Sequence, residues 1–487
     1  MVARFPDYPA GAAEVIQGGG PSGLAGTMRN ALTLEELAEL TAAPADQLRE
    51  WRSLGLIGRE SAETFRPEDV QRIRLIQLLL RRGIGLAAIA RVEQEQGFLS
   101  RYIDVMFPAG VRAIHSLAEV TRMLGMDAGP VRRFWEASGL AGRGDLLGEE
   151  DVQALKAIRV VMEAGFPEEA LVQLAHVYAD ALGRVAEAEA RLFHFYVHER
   201  LKATGMSERE LMQASDAARG QMAPLIEPLI LYFHRKGLER ALREDAVMHL
   251  QEDVGLASPA ELPGQLWVAI LFVDLASFTP MTVAMGDQMA ADVLERFSRI
   301  VREAVTRREG RVVKQIGDAF MLTFPEPRSA VACALEIEQR TAEEPQFPAV
   351  RSGLHWGQVL YREGDYLGVT VNVAARVAAE AQRHQVLVTA PVRREAAGLS
   401  DVEFVPLGTR RLKGLTDEVE LFQVVRRGRE GATRRQVDPV CGMELGVGEA
   451  AARLSFKGQE RVFCSQECLQ RFVAEPERYR DTTADLP

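Results

Sequence analysis

The chain has 487 residues, too many for one hydrophobic core, and at about 150 residues per domain it holds roughly three. Its hydrophobic fraction of 47% and charged fraction of 26% are those of an ordinary soluble protein. A net charge of -11 excludes general attraction to nucleic acid or to an anionic membrane surface. No apolar run approaches the ~20 residues of a membrane helix, and the run Leu266 to Val273 suits a buried strand. The N-terminus has no apolar signal-peptide core, and four cysteines do not make a disulfide scaffold. The expectation is a cytoplasmic protein in a reducing compartment, with no membrane partner.

Residues 1–30, with Gly18, Gly19, Gly20, Pro21 and Gly23 at their centre, read as disordered. Residues 31–95 show helical periodicity, with breaks at Pro44, Gly55, Pro67 and Gly83. Residues 112–180 repeat the arrangement. Leu48-Arg49 corresponds to Val131-Arg132, Trp51 to Trp135, Leu54-Gly55-Leu56 to Ser138-Gly139-Leu140, Asp69-Val70 to Asp151-Val152 and Gly83-Ile84 to Gly165-Phe166. The order is the same throughout, which predicts an internal duplication. Residues 181–258 contain few breakers and read as a helical connector.

From Gln265 the pattern changes. Strand-like runs Leu266–Val273, Arg311–Ile316, Ala319–Phe324, Val350–His355, Gln385–Thr389 and Glu420–Val425 are interleaved with helical stretches 286–308, 328–342 and 369–380. Such interleaving predicts an α/β or α+β domain over 262–425. Arg426, Arg427, Arg429, Arg434 and Arg435 mark a solvated linker, 426–436, before a small module, 437–480.

Asp274 follows the apolar run and falls at a strand end, where sites on open sheets gather. Asp318 lies between two apolar strands in Ile316-Gly317-Asp318-Ala319, a hairpin turn. Alone, either carboxylate suits a cap or a turn; together they could hold Mg²⁺ against a triphosphate. Asn372 and Arg376, four residues apart, share one helix face. Their neighbours Val373, Ala374 and Ala375 predict a closely packed helix, on which a polar pair is costly unless something pairs with it. Gly364-Asp365-Tyr366-Leu367-Gly368 reads as a turn before that helix.

In Phe272-Val273-Asp274-Leu275-Ala276-Ser277-Phe278-Thr279, Lys314-Gln315-Ile316-Gly317-Asp318, Asp365-Tyr366-Leu367-Gly368 with Val371-Asn372-Val373-Ala374-Ala375-Arg376, and Leu412-Lys413-Gly414-Leu415, the chain resembles the class III nucleotidyl cyclases. The four motifs occur in order over a third of the chain. The resemblance implies that Asp274 and Asp318 bind two Mg²⁺ or Mn²⁺ ions per site, with the carbonyl of Leu275 as a further ligand. One ion would lower the pKa of the ribose 3′-hydroxyl and the other would neutralise the β- and γ-phosphates. It implies that Asn372 orients the ribose, that Arg376 stabilises charge on the α-phosphate, and that Lys413 binds the triphosphate. Lys314 and Asp365 correspond to the pair that contacts adenine, the lysine donating to N1 and the aspartate accepting from the 6-amino group. Guanine reverses that polarity. ATP is therefore the expected substrate, converted to cyclic AMP and pyrophosphate, with guanylate cyclase as a lesser alternative. Family domains dimerise head to tail and share their sites, so a homodimer is expected.

Leu367 stands where many family members carry Trp or Tyr, which reads as a packing change. No Gly-Lys-Ser/Thr phosphate loop appears, so P-loop chemistry has no support. His355 and Cys333 read as structural.

In the front, Leu34-Glu35-Glu36-Leu37-Ala38, Leu48-Arg49-Glu50-Trp51, Leu54-Gly55-Leu56-Ile57, Phe65-Arg66-Pro67-Glu68-Asp69-Val70 and Gly83-Ile84-Gly85-Leu86-Ala87-Ala88-Ile89 resemble the MerR-like winged helix-turn-helix. Such folds read DNA. Here basic and acidic residues balance in 30–92, acidic residues outnumber basic ones in 115–175, and the stretch from Gly58 to Phe65 is short and acidic for a wing. DNA is therefore not the favoured partner; a sensor or dimerisation role that sets the catalytic geometry is. The alternative is a DNA-binding regulator that uses the cyclase-like domain to sense nucleotide. The tail resembles the small YHS-type metal-associated module through Asp438-Pro439-Val440-Cys441-Gly442-Met443, Phe463-Cys464-Ser465-Gln466-Glu467-Cys468, Phe472 and Pro476-Glu477-Arg478-Tyr479. Cys441, Cys464 and Cys468 could hold Zn²⁺, with Asp438 or water as fourth ligand, because every histidine lies before residue 385. A redox-active or merely buried thiol cluster is the alternative. The expected fold is thus multidomain: an all-α N-terminal half with a duplicated winged helix-turn-helix and a helical connector, an α+β ferredoxin-like cyclase domain, and a small Cys-containing C-terminal module.

Overall fold

The computed structural model describes residues 31–58, 64–106, 115–139, 146–255, 261–428 and 435–479. The expected disorder of 1–30, most of the predicted wing, and Arg429 and Arg434 lie outside the described residues. The chain divides into two compact units, Met1–Leu250 and Gln251–Pro487.

The first unit is almost wholly helical. Helices α1 (Leu34–Thr41), α2 (Ala45–Ser53), α3 (Pro67–Arg81), α4 (Leu86–Gln96) and α5 (Phe98–Met106) come first. Thr33 caps α1 in a capping box with Glu36, and Asp69 accepts from the amide of Arg66 at the start of α3. Leu37, Leu48, Trp51, Phe65, Val70 and Ile73 form the core beneath them. A second set follows: β1 (His115–Ser116), α6 (Leu117–Leu124), α7 (Ala128–Ala137), β2 (Leu146–Leu147) and α8 (Glu149–Glu163). Ser116 and Glu119 repeat the capping box, and Asp151 accepts from the amide of Gly148. The β1–β2 pairing through His115 and Leu147 parallels the bridge between Leu32 and Phe65. Then come α9 (Glu168–Phe193), a π-helical turn at His194–His198, α10 (Glu199–Lys202) and α11 (Glu208–Asp253). At 46 residues α11 spans about 70 Å. Among the described residues no helix is long and apolar enough to cross a membrane.

The second unit is built on a mixed sheet. Its elements are β3 (Gln265–Leu275), α12 (Phe278–Met285), α13 (Asp287–Arg307), β4 (Arg311–Ile316), β5 (Ala319–Phe324), α14 (Pro327–Glu343), β6 (Phe347–Pro348), β7 (Val350–Arg362), β8 (Asp365–Leu367), α15 (Val369–Glu380), β9 (Val386–Thr389), α16 (Ala390–Glu395), β10 (Val402–Arg411) and β11 (Glu418–Arg426). The strand order is β10-β11-β9-β7-β3-β5-β4, with β8 paired to β7. Among the described residues only the β7–β9 contact is parallel. Alternation along β3 decides the two faces. Ala269, Leu271, Val273 and Leu275 point to the core formed with α13 and α14, whereas Val268 and Ile270 join Met321, Val359 and Ala374 of α15 on the other face. Helix α15 lies almost on the strand beneath it. A Cβ on Gly353 would fall 2.0 Å from the Ala378 amide nitrogen, and one on Gly357 2.7 Å from Thr370 Oγ1.

The tail is less separate than expected. It comprises β12 (Gln436–Val437), β13 (Met443–Leu445), β14 (Ala452–Phe456), β15 (Gln459–Phe463) and α17 (Gln466–Ala474). Strand β13 pairs with β6 of the preceding domain, and Val440, Met443, Leu445, Phe463 and Phe472 belong to one continuous apolar core with the α13–α14 face of the sheet. The expected linker is partly structured: Arg426 ends β11, and Arg435 donates to the Glu344 carbonyl at 2.8 Å.

Candidate active site

Register brings the carboxylates together. Asp274 occupies the last turn of the β3 pleat, and the β4–β5 hairpin, turning at Gly317 (φ 62), carries Asp318 on the adjoining strands. The two acids share a hydrogen bond, and burial, reinforced by the Asp274 charge, pushes Asp318 up to about 6. Two carboxylates forced together in a half-buried site are what a divalent cation needs, and the oxygen donors suit Mg²⁺ or Mn²⁺.

A residue absent from the sequence reading completes this end. Arg351 of β7 stands opposite Asp274 in the ladder. Its Nε donates to Asp274 Oδ2 at 3.0 Å and its Nη2 at 2.5 Å. The only advance signal was a lone arginine at the start of an apolar strand.

The other predicted residues lie on β4, β8, α15 and the turn after β10. Lys314 of β4 is ion-paired with Asp365. Asp365 begins strand β8 rather than sitting in the turn predicted for Gly364 to Gly368, because Asp365, Tyr366 and Leu367 pair with Arg362, Tyr361 and Leu360. The turn is confined to Glu363 and Gly364, both at positive φ. Leu367 is 48% exposed, so its side chain fills no core position.

Asn372 and Arg376 share one face of α15, but that face is open. Val373, Ala374 and Val377 are buried while Asn372 and Arg376 are exposed, so no buried polar pair has to be offset within the chain. Lys413 is exposed in the turn after β10, where Gly414 takes φ 80. His355 is structural: its Nδ1 lies 2.8 Å from Thr389 Oγ1, and burial pulls it down to about 4. Cys333 is fully buried, and burial pushes its thiol up to about 12.

The profile described as the adenylate and guanylate cyclase catalytic domain matches residues 265–426. A further relative, an uncharacterized protein of Mycobacterium tuberculosis, is 30% identical over 76% of this chain and 94% of its own length. The chain belongs to the class III nucleotidyl cyclase family. The pH-sensitive adenylate cyclase of M. tuberculosis is 27% identical over 75% of this chain and 89% of its own length. Among solved structures, an adenylate cyclase of Trypanosoma brucei in its monomeric state is 25% identical over 36% of this chain and 96% of its own, with a TM-score of 0.32. Ahead of the cyclase domain, the MerR HTH family regulatory protein profile matches 32–96 and the adenylate cyclase regulatory domain profile 66–240. The YHS domain profile matches 436–483.

In that YHS module Asp438, Cys441, Cys464 and Cys468 are all buried and converge, so the three thiols are joined by the fourth residue expected. Hydrogen bonds from Cys441 and Cys464 pull the Cys468 thiol down, while Cys441 and Cys464 are pushed up.

Proposed function

We propose that this cyclase converts ATP to 3′,5′-cyclic AMP and pyrophosphate at sites shared between two copies of the chain. The observation that carries the chemistry is the Asp274–Asp318 pair, held side by side although burial and the Asp274 charge disfavour the charge of Asp318. Asp274, Asp318 and the Leu275 carbonyl would hold two Mg²⁺ or Mn²⁺ ions, which supply acidification of the ribose 3′-hydroxyl and neutralisation of the triphosphate. Arg351, already bonded to Asp274, offers a cation at the phosphate end. The 3′-oxygen loses its proton, bonds to the α-phosphorus, and pyrophosphate leaves. Asn372 orients the ribose, the planar guanidinium of Arg376 meets charge on the α-phosphate, and Lys413 holds the β- and γ-phosphates. Lys314 donates to adenine N1 and Asp365 accepts from the 6-amino group; their mutual ion pair supports this reading, because it presets one donor beside one acceptor.

The dimer is supported by what one chain leaves open. Ile316 on the metal hairpin is 58% exposed, Leu367 48% and Val369 70%, and Asn372 and Arg376 of α15 are exposed too. A two-fold pairing would cover this apolar surface and bring the helix residues of one chain to the carboxylates of the other. The helical front then acts as a sensor on the cyclase, by rotating paired helices at the shared site. The matching caps and bridges of its two helical sets support descent by duplication.

The test is cyclic nucleotide formation from ATP and from GTP with Mg²⁺ or Mn²⁺, beside Asp318→Ala. Cyclic AMP that the variant no longer makes is the expected result. No product from ATP, with the protein folded and dimeric, sinks the reading.

A further inference from the structure

The cysteine cluster of the tail is built against the loop that follows the metal-binding strand. One ligand atom from each of Asp438, Cys441, Cys464 and Cys468 lies within 4.8 Å of all the others. Cys441 Sγ is 3.5 Å from Cys464 Sγ, which is 3.6 Å from Cys468 Sγ, and all are free thiols. Tetrahedral Zn–S bonds of about 2.3 Å put sulfurs about 3.8 Å apart, so little movement is needed to receive such an ion. Asp438 is aimed by backbone amides: Oδ1 accepts from Val440 at 2.8 Å and Cys441 at 3.4 Å, and Oδ2 from Cys464 at 2.8 Å. Oδ2 keeps a lone pair. The four residues come from the knuckle before β13, the end of β15 and the first turn of α17, so one ion would tie the whole module together.

The knuckle also touches the cyclase loop. Gly442, at φ 72, lies so close to Ser277 that a Cβ there would stand 2.6 Å from Ser277 Cβ. Ser277 holds φ 69, a left-handed conformation that costs a non-glycine residue energy and persists only where its surroundings impose it. Arg383 bridges the two, with Nη1 donating to Ser277 Oγ at 3.1 Å and Nη2 to the Gly442 carbonyl at 2.7 Å. From α17, Arg471 donates to the Val283 carbonyl of α12 at 3.1 Å, so the tail holds both ends of the segment that Ser277 opens. Ser277 stands two residues beyond Leu275 and three beyond Asp274.

We propose that Asp438, Cys441, Cys464 and Cys468 bind a thiophilic divalent cation of the zinc class, and that occupancy raises cyclase activity by fixing Gly442 against Ser277. Binding releases thiol protons to solvent and needs no oxidant. The functional half rests on the cyclase reading of Asp274 and Leu275; the binding half does not.

The experiment uses the full-length reduced protein in excess Mg²⁺, titrated with Zn²⁺ against a chromophoric chelator, with hydrogen exchange followed over 275–285 and cyclic AMP formation measured in parallel. One tightly held Zn²⁺ per chain, lost in Cys464→Ser and Cys468→Ser, is expected. Loading should slow exchange in that segment and raise turnover by about fivefold or more. Arg383→Gln should still take up its Zn²⁺, which also reports that the module is folded, while exchange and turnover no longer respond. Absence of that Zn²⁺ in the wild-type chain overturns the site. Binding that leaves exchange over 275–285 unchanged overturns the coupling. If no state makes cyclic AMP, the enzyme reading fails, and the binding and exchange results still decide the site and its contact.

Discussion

The tail is fastened to the cyclase core by a charge cluster whose strength should depend on pH. His384, at φ 60 in the loop after α15, places Nε2 2.7 Å from Glu444 Oε2 of β13 and Nδ1 3.4 Å from Glu338 Oε1 of α14. Glu444 also takes Arg383 Nη2 at 3.2 Å. Burial opposes the imidazolium, but the two carboxylates outweigh it and hold His384 up to about 9, against an ordinary 6.5. A group raised in the folded state gives its full stabilisation below pH 6.5 and loses it as pH climbs through about 9. A gap of that size corresponds to about 3 kcal/mol, and screening of a ring that is 32% exposed brings it nearer 2. Burial likewise opposes the Glu444 charge, yet His384 and Arg383 hold its carboxyl below the usual range, so its contribution survives until strongly acid pH. The hydrogen-exchange protection factor of 443–445, which reads local opening of the β13–β6 pair, should therefore fall about 30-fold between pH ~5.5 and ~9.5. His384→Asn, a residue that tolerates the left-handed backbone, should start lower and stay flat. Parallel profiles for wild type and His384→Asn would refute the argument.

The remaining expectations concern the catalytic face. Lys314→Glu with Asp365→Ser should exchange donor for acceptor at the base and shift the ATP-to-GTP preference in kcat/KM by on the order of a hundredfold or more; an unchanged preference would remove these residues from base selection. Gly353→Ala should lift α15 off β7, lowering the melting temperature by the equivalent of about 1–3 kcal/mol and cutting turnover with it. Arg351→Met should leave Asp274 and Asp318 unneutralised, so that Mn²⁺ raises the melting temperature more than it does in wild type.

Most of the candidate site residues visible in the sequence share one property: they sit in short motifs whose local structure supplies their geometry, Asp365 excepted. The Ile316–Ala319 turn, the strand end at Asp274 and the i, i+4 pair on α15 needed no long-range information. Arg351 did, because its meaning comes from standing across a ladder from Asp274, 77 residues away in sequence. The orientation of α15 was not legible for a related reason. Small neighbours foretold close packing, and Gly353 supplies it, but periodicity cannot say which side of the helix meets the sheet. The docking of the tail rests on a strand of two residues, β6, too short to leave a pattern.

The orientation of α15 and the docking of the tail bear on one feature of the molecule. A helix that buries Val373, Ala374 and Val377 so tightly cannot also turn Asn372 and Arg376 inward, since all five belong to a single rigid turn pattern. With α15 pinned on Gly353, the proposed role of Arg376 at the α-phosphate would be played on another chain. Activity would then be set by how two cyclase domains meet. In the helical front α11 exposes Leu225, Leu229, Phe233 and Leu242, and in the cyclase unit the tail packs on Ser277 in the loop that follows Asp274. A monomeric variant should accordingly retain Mn²⁺ binding at Asp274 and Asp318 while losing turnover. Mixing Asp318→Ala with Arg376→Ala chains should restore up to a quarter of wild-type activity if pairing is random, because half the dimers are mixed and each of those rebuilds one of its two sites. No recovery from the mixture, with exchange of subunits demonstrated, would put the complete site within one chain.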